Sequence, residues 1–90
     1  MKYLIIDIGN TNIVFAVYSE NKILQKWRIS TQIKRTMDEY ILWFSSLIKE
    51  NVVFKDIIVG SVVPDITEEL KLAIISFFNR QALVVSEDFK

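Results

Sequence analysis

The chain has no cysteine and no histidine, and only two glycines and one proline in 90 residues. Without cysteine there is no disulfide scaffold and no thiol nucleophile. Without histidine there is no Ser-His-Asp triad, no zinc finger and no imidazole-ligated metal. No charge of one sign dominates. Eleven Lys and Arg balance eleven Asp and Glu, the formal net charge is +0, and the pI is near 6.2. A general nucleic-acid binder shows a basic excess, so no nucleic-acid partner is expected. Long apolar runs are missing too. The longest, Ile13 to Tyr18, is far shorter than the roughly 20 residues of a spanning helix, so no membrane is expected. Lys2 and Tyr3 to Ile6 look faintly like the start of a signal segment. Asp7 interrupts them and no small-residue cleavage site follows, which leaves a cytoplasmic location as the expectation.

What is present is apolar. The hydrophobic fraction is 51% and the aromatic fraction 12%, the composition of a folded chain without a disorder signature. Residues 1–90 read as a single domain. For a domain this small, 51% means either a well-filled core or apolar surface meant for another domain or subunit.

Periodicity supplies the elements. Tyr3 to Ile8 is a compact Ile-rich run, the pattern of a strand buried on both faces and central in its sheet. Gly9-Asn10 is a two-residue hairpin signal, followed by a second strand over Ile13 to Tyr18. Ser19 to Lys22 is a polar turn. Ile23 to Ser30 mixes Leu24, Trp27 and Ile29 with Gln25, Lys26 and Arg28, which suits an edge strand.

The period then changes. Met37, Tyr40, Ile41, Phe44, Leu47 and Ile48 form a helical stripe that opens with the capping box Thr36-x-x-Glu39. Asp56 to Val63 is again strand-like and Pro64 ends it. Asp65 and Glu68 form a candidate cap for a second stripe, Ile66, Leu70, Ala73, Ile74, Phe77 and Phe78. Ala82 to Val85 is a last short strand. The order is βββαβαβ. Short turns make the first three strands an antiparallel meander, and helical crossovers make the last two parallel to the first. This is an α/β fold with a mixed five-stranded sheet, order 3-2-1-4-5. Ligands of such sheets bind at the carboxyl ends of the parallel strands, here Asp7 to Asn12 and Gly60 to Asp65.

Asp7-Ile8-Gly9-Asn10-Thr11-Asn12 is the most informative segment. A carboxylate at the end of a buried strand must be satisfied by N–H groups, a neighbour or a solvated metal ion. With Gly9-Asn10 as the loop, Asp7 would face Asn12 and Ile8 would face Thr11. Glycine permits positive φ and close approach of a ligand, and successive N–H groups can form an anion-binding nest. The Thr11 hydroxyl and Asn10 amide add donors, and Asp7 could orient Mg²⁺ through its waters. On spacing alone, an ordinary polar hairpin in which Asp7 makes an Asx-type bond is the simpler account.

The string Asp7 to Asn12 resembles the first phosphate loop of the acetate kinase, sugar kinase, Hsp70 and actin superfamily, whose ribonuclease H-like half-domain has the same βββαβαβ order. Three more strings carry a closer resemblance, to type III pantothenate kinase: Trp27-Arg28-Ile29-Ser30-Thr31, Arg35-Thr36-Met37-Asp38-Glu39-Tyr40 and Ser61-Val62-Val63-Pro64. The match is collinear over essentially the whole chain and reverses the preference for a plain hairpin.

The resemblance implies the N-terminal domain of a two-domain kinase that phosphorylates pantothenate from ATP in coenzyme A synthesis. It implies Mg²⁺, a monovalent cation (K⁺ or NH₄⁺) and a homodimer. Asp7, Gly9, Asn10 and Thr11 would form the phosphate loop, with Asp7 holding the metal through water and Asn12 supporting Asp7. Ser61 and Val62 would border the substrate cleft.

The family's catalytic Asp and its Gly-x-Asp-Arg motif are not found in residues 1–90, so no catalytic residue is assigned and the chain alone is expected to be inactive. The same resemblance extends to Bvg accessory factor-like proteins, which leaves a non-enzymatic regulatory or binding module as the alternative. Bland readings suit the other features: Arg28, Lys34 and Arg35 as a solvated basic turn, Trp43 as a partly covered aromatic, Phe77 and Phe78 as core, and Glu68 and Glu69 as dipole or cap residues.

Overall fold

The computed structural model describes residues 1–49 and 52–86. Strands β1 (Lys2–Ile8), β2 (Asn12–Ser19) and β3 (Lys22–Ser30) are followed by helix α1 (Met37–Leu47), strand β4 (Phe54–Ser61), helix α2 (Pro64–Phe78) and strand β5 (Leu83–Ser86). They build one five-stranded sheet in the order β3-β2-β1-β4-β5. The β1–β2 and β2–β3 pairs are antiparallel and the β1–β4 and β4–β5 pairs parallel, as the turn lengths require.

Topology decides which face is covered. β3 runs parallel to β4, and β4 to β5. Both helical crossovers therefore step the same way across the sheet, and right-handed crossovers in one direction put both helices on one face. The core agrees. Leu4, Ile6 and Ile8 of β1, Ile13, Phe15 and Val17 of β2, and Ile57 and Val59 of β4 pack with Tyr40 and Phe44 of α1 and with Ile66, Leu70, Ala73 and Ile74 of α2. Trp43 stacks on Phe15, with ring centroids 6.1 Å apart. Phe78 meets Phe44 edge-on at 5.1 Å.

The expectation that β1 is buried on both faces is corrected here. It is central because it has a neighbour on each side, but Tyr3 and Ile5 are only half-buried and Asp7 is exposed. Its near-continuous apolar run reflects strand neighbours flanking it, with no helix over the second face among the described residues.

Local chemistry sets the ends of the elements. Thr36 Oγ1 accepts from Glu39 N–H, and Thr36 N–H donates to Glu39 Oε1, completing the capping box. The second cap is not Asp65 with Glu68. α2 begins at Pro64 with Val63 as N-cap, and Asp65 lies inside the first turn. Proline has a preset φ and no N–H to satisfy, so it opens a helix at its first position. The β2–β3 hairpin turns through Glu20 and Asn21, both at positive φ (52° and 64°), as a type I′ turn requires.

Candidate functional site

The β1–β2 connection differs from the expected hairpin by one residue. Gly9 N–H donates to Asn12 O at 2.9 Å, so Asn10 and Thr11 are the central pair. Asp7 then lies opposite Val14, and Ile8 opposite Ile13; Asp7 does not face Asn12. Neither glycine has positive φ. Gly9 serves close approach instead, since a Cβ there would stand 3.1 Å from the Asn12 carbonyl oxygen.

Two neighbouring strand ends hold this loop. From β3, Thr31 N–H donates to Thr11 O at 2.8 Å, and Thr31 Oγ1 donates to Gly9 O at 2.7 Å. From β4, Val62 N–H donates to Ile8 O at 3.1 Å. The loop thus sits at the carboxyl ends of the parallel strands β1 and β4, with its backbone fixed. Asn10 and Thr11 are exposed, and neither of their N–H groups donates to a protein acceptor among the described residues.

Asp7 is exposed on the uncovered face. It forms no hydrogen bond or ion pair among the described residues, so the expected burial penalty does not arise. Its β4 partner is Gly60, where an added Cβ would meet nothing within 4 Å. A carboxylate beside open space can keep a hydrated cation at one remove. No group of three or more metal-ligating side chains occurs among the described residues. An exposed carboxylate without such neighbours would hold a hydrated cation such as Mg²⁺ through water, and not in an all-protein cage.

Asn12, paired with Ser30, shares the Asp7 face by strand alternation but does not pair with Asp7. Ser61 has a committed hydroxyl: it accepts from Val63 N–H at 2.9 Å and donates to Val63 O at 3.1 Å. Ser61 thus shapes the turn into α2, while the Val62 side chain is exposed. Sequence reasoning missed the role of Thr31, although the residue closes the Trp27–Thr31 string. Arg35 backs this corner by donating to Ser30 O at 3.3 Å.

A five-stranded mixed sheet of this order, with both helices on one face and a tied polar loop after its first strand, defines a class of fold, the ribonuclease H-like half-domain. The crystal structure of a ROK family protein from Streptococcus pneumoniae superposes on 97% of this chain and 35% of its own, with a TM-score of 0.66 at 19% identity, a likeness of fold. The family model described as type III pantothenate kinase matches residues 3–90. Two curated proteins of that description are similar. The one from Exiguobacterium sibiricum is 41% identical over 91 residues, covering 97% of this chain and 36% of that protein. The one from Finegoldia magna is 38% identical over 93 residues, covering 97% and 35%. The chain belongs to the type III pantothenate kinase family, and spans about a third of the length of these relatives.

Proposed function

We propose that the chain is the N-terminal, phosphate-loop-bearing domain of a kinase that transfers a phosphoryl group from ATP to the primary hydroxyl of pantothenate, giving 4′-phosphopantothenate for coenzyme A synthesis. The observation that carries this reading is the loop Gly9–Asn12. It is tied from both sides at the carboxyl ends of parallel strands, with the Asn10 and Thr11 N–H groups donating to no acceptor among the described residues.

Phosphoryl transfer asks the protein chiefly for positioning and charge stabilisation. The Asn10 and Thr11 N–H groups and the Thr11 hydroxyl would donate to phosphate oxygens, and Asp7 would orient the waters of Mg²⁺, which supplies charge neutralisation when bound. Asn12, on the Asp7 face, would border the same phosphates. Ser61 and Val62 would form the floor of the substrate side through the turn they shape. Groups outside residues 1–90 would supply the catalytic carboxylate, the pantothenate contacts and the K⁺ or NH₄⁺ site. The working enzyme would be a cytoplasmic homodimer, and this chain by itself would not turn over.

Asp7→Asn in an intact kinase containing this segment tests the reading. Asp7 is exposed and bonded to nothing among the described residues, so the change should leave stability within about 0.5 kcal/mol. Asn keeps the shape and loses the charge, and kcat should fall roughly 10²–10³-fold. Near-normal turnover with an unchanged Mg²⁺ requirement would contradict the assignment.

A further inference from the structure

We propose that Thr31 is a positioning residue that aims the Asn10 N–H of the loop at the phosphates; this rests on the phosphate-loop reading above. Thr31 lies 22 residues from Gly9 in sequence, yet its part-buried hydroxyl donates to Gly9 O at 2.7 Å. Its N–H donates to Thr11 O at 2.8 Å. One residue at the end of β3 therefore fixes two carbonyls of a four-residue turn.

A trans peptide is planar, with C=O and N–H pointing opposite ways, and no peptide among the described residues is cis. Pinning the Gly9 carbonyl toward Thr31 therefore turns the Asn10 N–H away from it. Pinning the Thr11 carbonyl does the same for the Asn12 N–H. The Asn10 donor is thereby held outward, without a protein acceptor among the described residues. Such donors act on an anion without reorganising. The turn itself has no positive-φ residue to lock its shape, so the clamp from β3 supplies what a primed turn would otherwise provide. The hydroxyl is the dispensable half of the clamp for folding, because the Thr31 N–H bond survives any side-chain change other than proline.

The test is amide spectroscopy of the ¹⁵N-labelled 90-residue chain, titrated with Mg-ATP, as wild type, Thr31→Val and Thr31→Ser. Valine keeps the branched shape and removes the donor; serine keeps the donor. Thr31→Val should shift the Asn10 and Thr11 amides of the free chain and raise their exchange rate, and should weaken Mg-ATP binding roughly five- to tenfold. Thr31→Ser should restore both. The β1 and β4 amides should not move in either variant.

Equal binding by wild type and Thr31→Val, or failure of serine to rescue, would overturn the positioning role. If the wild type gives no loop shifts with Mg-ATP, the phosphate-loop reading falls. Thr31 is then judged on the free chain, where unchanged Asn10 and Thr11 amides in Thr31→Val overturn the clamp. Should valine unfold the chain, Thr31→Ala removes the same hydroxyl with less bulk and is read against serine in the same way.

Discussion

Tyr40 carries a phenol into the core of the molecule, where it is 1% exposed and its hydroxyl has no hydrogen-bond partner among the described residues. Burial pushes its pKa above the ordinary 10.0. The Arg35 charge opposes that rise, and Glu39 and Glu69 reinforce it. The folded state thus holds the proton more tightly than the unfolded chain. The stability this represents is fully present below pH 10.0 and is lost as the pH climbs through the raised folded value. Tyr40→Phe should be neutral or stabilising by up to about 1 kcal/mol at neutral pH, because no partner is stranded. It should also flatten the alkaline fall in stability. Melting curves of the two proteins between neutrality and pH 11 check both points; the difference between them removes the lysine contribution.

At this scale some residues speak in the sequence and others do not. Thr36 and Glu39 announce their cap because the two partners are one turn apart. Gly9 announces a turn, but its centre is displaced by one residue, since glycine there avoids the Asn12 carbonyl rather than adopting positive φ.

Helix α1 is held at its start by more than its own capping box. The first N–H of the helix, on Met37, donates to Glu69 Oε2 of α2 at 2.8 Å. A carboxylate at a helix N-terminus satisfies an orphan donor and also meets the positive end of the macrodipole. Glu69 therefore couples the two helices end to side, whereas Glu68 makes a surface contact with Lys71 at 3.7 Å. Glu69→Ala should cost about 1–2 kcal/mol by leaving the part-buried Met37 N–H without its charged acceptor. Glu69→Gln should cost less, since an oxygen remains. Urea unfolding of the two variants measures the difference, and equal stability of the alanine variant and the wild type would remove Glu69 from this role. The element order and strand pairing are legible from apolar periodicity and turn length. The Glu69 bond is not, because its partners are 32 residues apart in sequence and meet only after the helices pack. The α2 start reads wrongly for a local reason: Asp65 resembles a cap, but Val63 is the cap and Pro64 opens the helix two residues earlier than an Asp65 cap would.

In the molecule as a whole, the apolar excess of the composition has a location. Both helices cover one sheet face. On the other, Ile5, Val14, Ala16 and Ile58 are half-buried, and Leu83 and Val85 at the β5 edge are exposed. Asp7 stands on this uncovered face, so the two-step crossover that decides which side the helices occupy also decides that the carboxylate is wet. Sequence reasoning placed Asp7 at the correct strand end but in the wrong environment, because alternation along one strand does not report which face the helices will take. No described helix is long and apolar enough to cross a membrane.

The central claim is that residues 9–12, braced by Thr31 and Val62, form a phosphate loop. Titrating the ¹⁵N-labelled chain with Mg-ATP tests it most directly. The account predicts saturable shifts at the Gly9, Asn10, Thr11 and Asn12 amides, with smaller ones at Thr31 and Val62 and a quiet α1. Shifts confined to the helices, or a loop that stays silent while other amides respond, would contradict it.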